Sequence, residues 1–187
     1  PELAGDAAAR GAPLEGWSAG CASGEEPYTL ALLWQLGVGP AFPAVALHML
    51  ATDADETMLR RAEANEYPES ALRDLPGPWR EEGFTTQGGV YRLRARFLQP
   101  VTLRRHDVRE PPPGGPFDLV LCRNVAFTYF ELDLQRDVAS RLAACLRPGG
   151  ALVLGRRETL PEGSRGFSPW SAALPVWRRD QPAFRSA

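Results

Sequence analysis

Acidic residues beside glycine-rich turns are where this sequence is equipped for chemistry. Ala19-Gly20-Cys21-Ala22-Ser23-Gly24 is a run of small residues followed at once by Glu25 and Glu26, and Asp53 closes a second apolar run. A carboxylate at the tip of a parallel strand can accept hydrogen bonds from the two hydroxyls of a ribose, and glycine in the turn after the first strand lets a ligand approach the backbone. The turn is not GxGxxG, and all 21 basic residues are arginine. Without lysine there is no P-loop phosphate cradle and no Schiff-base nucleophile. Glu25 suits a ligand that carries positive charge, such as a nucleoside with a sulfonium and an amine, better than a pyrophosphate. Each feature has a plainer alternative. The glycines could serve only a tight turn, and Asp53 could be a helix cap, although Asp55 already fits that role.

Other chemistries have little to work with. The only histidines are His48 and His106, and His48 lies in an apolar run where a satisfied core histidine is expected, so serine–histidine hydrolysis is disfavoured. Cys21, Cys122 and Cys145 show no CxxC spacing, which predicts reduced, buried thiols and no metal site. A net charge of -2 gives no field for polyanions, so no nucleic-acid partner is expected. No apolar run approaches the roughly 18 residues of a membrane span, and no signal-peptide core opens the chain. The expected protein is soluble and cytoplasmic, without membrane insertion.

The elements that must position these residues alternate. Residues 1–13 read as a loose leading segment, and residues 14–187 as one domain. Leu14 to Ala19 predicts a strand, and Glu26 to Gln35 a helix with Leu30, Leu33 and Trp34 facing inward. Val45 to Ala51 is a second buried strand, followed by a helix capped by Asp55 with Met58, Leu59 and Ala62 on one face. The pattern weakens over about 76–100, which reads as a β-hairpin insertion with a strand from Val90 to Leu98. Alternation on that strand would put Arg92, Arg94 and Arg96 on one face, either solvated or open to an acidic peptide. Val101 to Val108 and Phe117 to Cys122 return to the sheet, and Leu134, Val138, Leu142 and Leu146 mark a helix that Pro148-Gly149-Gly150 ends. Ala151 to Gly155 and a final pair including Pro175 to Arg178 complete an α/β, doubly wound, mostly parallel sheet.

Four ordered segments carry a family resemblance. Gly16-Trp17-Ser18-Ala19-Gly20-Cys21-Ala22-Ser23-Gly24-Glu25-Glu26-Pro27-Tyr28 resembles the cofactor loop of the CheR glutamate O-methyltransferases. Ala51-Thr52-Asp53-Ala54-Asp55, Phe117-Asp118-Leu119-Val120-Leu121-Cys122-Arg123-Asn124-Val125, and Leu146-Arg147-Pro148-Gly149-Gly150 with Leu154-Gly155 follow in the family's order, so that the likeness spans about Leu14 to Asp180. The resemblance implies a Rossmann-like seven-stranded sheet that binds S-adenosylmethionine and releases S-adenosylhomocysteine. It implies that Glu25 holds the methionine portion, Asp53 the ribose, Asp107 and Val108 the adenine side, and Arg123 and Asn124 the cofactor at the central strand, with Ala19, Gly20, Cys21 and Ala54 completing the set.

It further implies a tyrosine beside the transferring methyl. The segment Arg123-Asn124-Val125-Ala126-Phe127-Thr128-Tyr129-Phe130 is one residue longer than the family pattern, so Tyr129 is the choice, Thr128 the register alternative, and a packed aromatic the plain one. Arg123 is the first candidate to hold an acceptor carboxylate. Arg156 and Arg157 stand where the family has a histidine and a small polar residue, before the glutamate matched by Glu158. The resemblance also implies a helical domain before the cofactor loop, where this sequence has only Pro1 to Pro13 and no initiating methionine, as a fragment or a shortened relative would. The expected partner is a protein with acidic side chains or an acidic tail. A small-molecule acceptor and a non-catalytic cofactor-binding module stay open.

Overall fold

The computed structural model describes residues 1–181; residues 182–187, the end of the expected domain, lie outside the described residues. Strand β1 (Leu14–Ala19) is followed by helix α2 (Glu25–Leu33), β2 (Leu47–Asp53) and α3 (Glu56–Ala64), as the alternation predicts. After an excursion through a small sheet come β6 (Val101–Arg105), β7 (Phe117–Cys122), the short α6 (Ala126–Tyr129), α7 (Leu132–Cys145), β8 (Leu146–Leu154), β9 (Phe167–Pro169) and β10 (Val176–Arg179). The main sheet has seven strands in the order β6-β2-β1-β7-β8-β10-β9. β6, β2, β1, β7 and β8 pair in parallel, and β10 is antiparallel to both neighbours.

The central parallel strands β1, β7 and β8 are largely buried on both faces, whereas the edge strand β6 is partly exposed. Trp17 anchors one layer: it is buried, its ring lies 5.6 Å from that of Phe117, and its indole N–H donates to Thr52 Oγ1 at 2.9 Å. Val138, Leu142 and Cys145 of α7 pack into the same cluster. At the amino-terminal end of β7, buried Asp118 accepts from Arg10 at 2.6 Å and from the Glu15 amide at 2.9 Å, with Arg147 beside it.

Several expectations need correction. Residues 2–9 are not loose: Glu2–Ala9 is helix α1, which buries Ala4 and Ala7 against Leu14 and Leu47. Its contact face is made of alanines three apart, strong helix formers that carry little hydrophobic contrast, so no periodicity announces it. Helix α2 turns Pro27, Tyr28, Ala31 and Leu32 inward and leaves Leu33 exposed. His48 is not a core residue; it is exposed and pairs with Glu15, whereas His106 is the buried histidine. The insertion is a three-stranded antiparallel sheet, β3 (Glu66–Pro68), β5 (Val90–Leu93) and β4 (Phe84–Gln87), so one strand lies outside 76–100.

Helix α4 (Gly77–Gly83) leads into that sheet, and α5 (Ala95–Leu98) leaves it. Arg94 caps α5 and Arg96 lies within it, so the three arginines do not alternate along one strand. Phe97, fully buried against Tyr28 and Leu32, is what turns the chain there.

Candidate cofactor site at the carboxyl ends of the strands

Parallel register brings the sequence candidates to one edge. Ala19 pairs with Thr52, Asp53 with Arg105, and Cys122 with Leu154. The residues that follow, Gly20, Ala54, His106 to Val108, Arg123, Asn124 and Gly155, therefore leave the sheet together. From β6 to β8 is four inter-strand steps of about 4.8 Å, roughly 20 Å in all, enough for an extended nucleoside conjugate. Strand order reverses between β1 and β7, the position where open α/β sheets leave a crevice for ligand. An apolar hollow of about 410 Å³ under α1, walled by Leu47, Met49, Leu119 and Val153, holds none of the candidates.

The glycine-rich turn is seated on β2. Gly20 and Cys21 both donate to the Thr52 carbonyl, at 2.8 and 2.9 Å. Gly20 has φ of +77°, and a Cβ there would stand 2.4 Å from Val125 Cγ2, so the turn and the loop after β7 touch through a glycine. Asp53 Oδ2 accepts from the Ala22 amide and Oδ1 from the Asp55 amide, both at 2.9 Å. Each oxygen keeps a second lone pair, so these bonds aim the carboxylate while leaving it able to accept ribose hydroxyls. Asp55 caps α3 through the Thr57 amide, as expected. Tyr67 of the small sheet donates to the Ser23 carbonyl at 2.8 Å and braces the turn from outside.

Glu25 is exposed at the first turn of α2, where the helix dipole favours negative charge, and Ser23 Oγ donates to both its oxygens at 2.9 Å. Its neighbour Glu26 points the other way. It accepts from Ser18 Oγ at 2.7 Å and from Arg123 Nη1 at 2.8 Å, joining β1 to the end of β7. Arg123 is therefore not a free guanidinium, though its side chain stays 42% exposed and its other N–H groups have no partner among the described residues. Sequence reasoning missed the Glu26 bridge. Its signal was the Glu25-Glu26 doublet, which at 100° per residue must send the two carboxylates in different directions.

Asp107 is held by Arg109 through both oxygens, at 2.9 and 3.0 Å from Nε, and that hydrogen bonding keeps its carboxyl below the usual range. His106 donates from Nε2 to the Pro111 carbonyl and packs edge-on against Trp17, 5.8 Å between centroids. Burial pushes the Cys21 thiol up to about 12, with Asp53 adding repulsion, so Cys21 lines the turn as a neutral thiol. All three cysteines are free and buried, as expected.

Asn124 follows Arg123 in the left-handed region, φ +56°. Its amide and that of Gly155 each donate at 2.7 Å to Glu158 Oε2, while Thr128 Oγ1 donates at 2.5 Å to Oε1. Thr128 is thus committed to Glu158. Tyr129, one turn beyond Val125, is 76% exposed and is not a packed aromatic. Arg156 and Arg157 are exposed and have no ion pair among the described residues.

The donor set fits a nucleoside cofactor: a backbone-aimed carboxylate at the β2 tip, a close-approach glycine turn, and the exposed carboxylate of Glu25 beside it, with no group of three or more metal-ligating side chains among the described residues. Strand order and site together define a doubly wound, nucleoside-binding α/β domain. Comparison with known proteins narrows this. The family model "CheR methyltransferase, SAM binding domain" matches residues 2–173. The chain belongs to the CheR methyltransferase family and corresponds to its S-adenosylmethionine-binding domain.

It is 34% identical over 147 residues to a "Chemotaxis protein methyltransferase" of Listeria monocytogenes, covering 79% of this chain and 54% of that protein. It is 37% identical over 175 residues to an "Uncharacterized 104.1 kDa protein in hypE 3'region" of Rhodobacter capsulatus, covering 94% of this chain and 18% of that one. The chain thus spans about half of the one relative and under a fifth of the other. A solved structure described as "Conversion of a Disulfide Bond into a Thioacetal Group during Echinomycin Biosynthesis" shares the fold, with a TM-score of 0.52 at 16% identity over 96% of this chain and 81% of that one.

Proposed function

We propose that this domain transfers a methyl group from S-adenosylmethionine to a carboxylate oxygen of a protein glutamate, the acceptor that its resemblance to the CheR glutamate O-methyltransferases implies; relatives named chemotaxis protein methyltransferases support methyl transfer. The single observation that carries the reading is Asp53, a strand-tip carboxylate aimed by two backbone amides beside the Gly20 turn. When bound, the cofactor supplies the methyl from a sulfonium and leaves as a neutral thioether. The side chain of a glutamate acceptor, which ordinarily titrates at about pH 4.3, is already ionised at neutral pH, so no general base is required and positioning dominates.

In this reading Ala19, Gly20 and Cys21 form the backbone floor, and Asp53 with Ala54 takes the ribose. Asp107 and Val108 border the adenine, and Asn124 closes the centre. Glu25 offers its carboxylate to the amine of the methionine portion. Glu26 holds Arg123 at the mouth, where the remaining guanidinium donors can fix a carboxylate acceptor. Tyr129, exposed and unpacked, is assigned to the approach of the acceptor. Arg156 and Arg157 leave the same edge of the sheet and favour a partner with acidic side chains around the methylated glutamate. No helix among the described residues is long and apolar enough to cross a membrane.

The test is incubation of the purified chain with isotopically labelled S-adenosylmethionine and a glutamate-bearing cytoplasmic receptor fragment. Base-labile label on the fragment, lost when the acceptor glutamates are replaced by glutamine, is expected. Label that enters only a metabolite, or no label at all, contradicts the proposal.

A further inference from the structure

We propose that Glu158 is the positioning residue of this site, gripping the loop that carries Arg123, Asn124 and Tyr129; the proposal rests on the methyl-transfer reading and deepens it. Glu158 is a carboxylate only 8% exposed, placed after the end of β8 and not on the loop it holds. A short turn, closed by the Glu158 amide donating to the Gly155 carbonyl at 2.9 Å, brings its side chain back across the strand ends. Oε2 accepts from the amides of Asn124 and Gly155, and Oε1 accepts from Thr128. One carboxylate therefore ties the residue after β8 to two points of the loop after β7, one at each end of the segment 124–128.

Two further observations show that the loop is built around this grip. Asn124 adopts φ +56°, a left-handed turn that asparagine enters more readily than other side chains and that aims its amide at Glu158. A Cβ on Gly155 would stand 2.4 Å from Asn124 Oδ1 and 2.6 Å from Glu158 Oε2, so only glycine allows the Asn124 carboxamide and the Glu158 carboxylate to meet there. Arg123 immediately precedes this clamp, and Tyr129 immediately follows Thr128, so both candidate groups of the loop are placed by the gripped segment between them. Glu158 acts through these residues. Both its carboxylate oxygens are engaged by donors of the chain, the Asn124 and Gly155 amides and the Thr128 hydroxyl.

Geometry, not charge, is the operative quantity, and this gives a discriminating substitution. In Glu158→Gln the amide oxygen can accept both backbone N–H groups, and the Thr128 hydroxyl can turn to accept from the new NH₂. Glu158→Ala leaves three donors unmatched, and Glu158→Asp is one methylene too short to reach all three. Calorimetric binding of S-adenosylhomocysteine, steady-state methyl transfer, and amide hydrogen exchange at Asn124 and Gly155 would be measured on the wild-type chain and these variants.

Displacement of the loop in Glu158→Ala is expected to lower kcat about a hundredfold, more than it raises KM. Glu158→Asp is expected to lie between, should the alanine variant not fold. Glu158→Gln is expected to recover to within about fivefold of wild type, a neutral donor pair being weaker than a charged one. Slow exchange at Asn124 and Gly155 should persist in the glutamine variant and be lost in the alanine and aspartate variants. Wild-type kcat in the alanine or aspartate variant, or a glutamine variant as impaired as alanine, overturns the positioning role. A wild-type chain that neither binds S-adenosylhomocysteine nor transfers methyl overturns the functional reading instead, and amide exchange then still decides whether Glu158 holds the loop.

Discussion

The carboxyl edge of the main sheet and the small three-stranded sheet both carry many charges, but hold them differently. At the edge, Asp53 and Glu158 are each fixed by two backbone amides, and Glu26 by a serine and an arginine. In the small sheet and its flanking helices the charges meet one another across solvent, Arg92 with Glu66 and Arg96 with Glu82, every partner about half exposed. Backbone amides are positioned by the fold itself, so a carboxylate bound to them is held by the turns that follow the strands. An exposed pair of long side chains gains little and is screened by salt. The first arrangement is suited to holding a ligand in register; the second keeps a surface soluble.

Four results would break or sharpen this contrast. The largest concerns the three buried thiols, in the glycine turn, in β7 and at the end of α7. Cys21, Cys122 and Cys145 are each raised to about 12 in the fold, by burial above all, from 9.0. Folded values above unfolded ones mean stability fully present below pH 9 and lost as pH climbs towards 12. Urea melts at pH 10 should show about 1 kcal/mol lost per thiol relative to pH 7.5, and a cysteine-to-alanine set should flatten that slope. Next, Asp118→Ala strips the buried anion from Arg10 and Arg147. A loss of about 3 kcal/mol is expected in the same melts, the low end for a broken buried pair because both arginines stay about one-third exposed.

Gly20→Ala places a methyl against Val125 at positive φ, with an expected cost of about 2 kcal/mol from overpacking and backbone strain, read by denaturation midpoint. Smallest, Arg92→Ala and Arg96→Ala should each change stability by under about 1 kcal/mol, less still in high salt. A larger loss at either arginine would mean that the small sheet is built like the site after all.

Strand interiors and strand tips were legible in the sequence because a parallel sheet buried on both faces writes long apolar runs. Leu14 to Ala19 and Phe117 to Cys122 match their observed strands end to end, and Asp53 stands at the tip it was expected to occupy. What escaped was set by tertiary contact. Helix α1 buries alanines, so its face has no contrast to read. Strand β3 contributes three residues, too few for alternation to register. His48 sits in an apolar run yet faces out, because at the amino-terminal end of β2 the strand alternates Leu47 in, His48 out, Met49 in. The Glu26 bridge and the Glu158 grip each join groups 30 or more residues apart, through bonds that no local pattern encodes.

The most direct measurement is calorimetric titration of the chain with S-adenosylhomocysteine, wild type against Asp53→Ala, with circular dichroism to confirm that both are folded. The account predicts binding that the substitution weakens by about 1 to 3 kcal/mol, the cost of removing a charged hydrogen-bond acceptor from the ribose hydroxyls. Equal dissociation constants in the two proteins, or no binding by a folded wild-type chain, would contradict it.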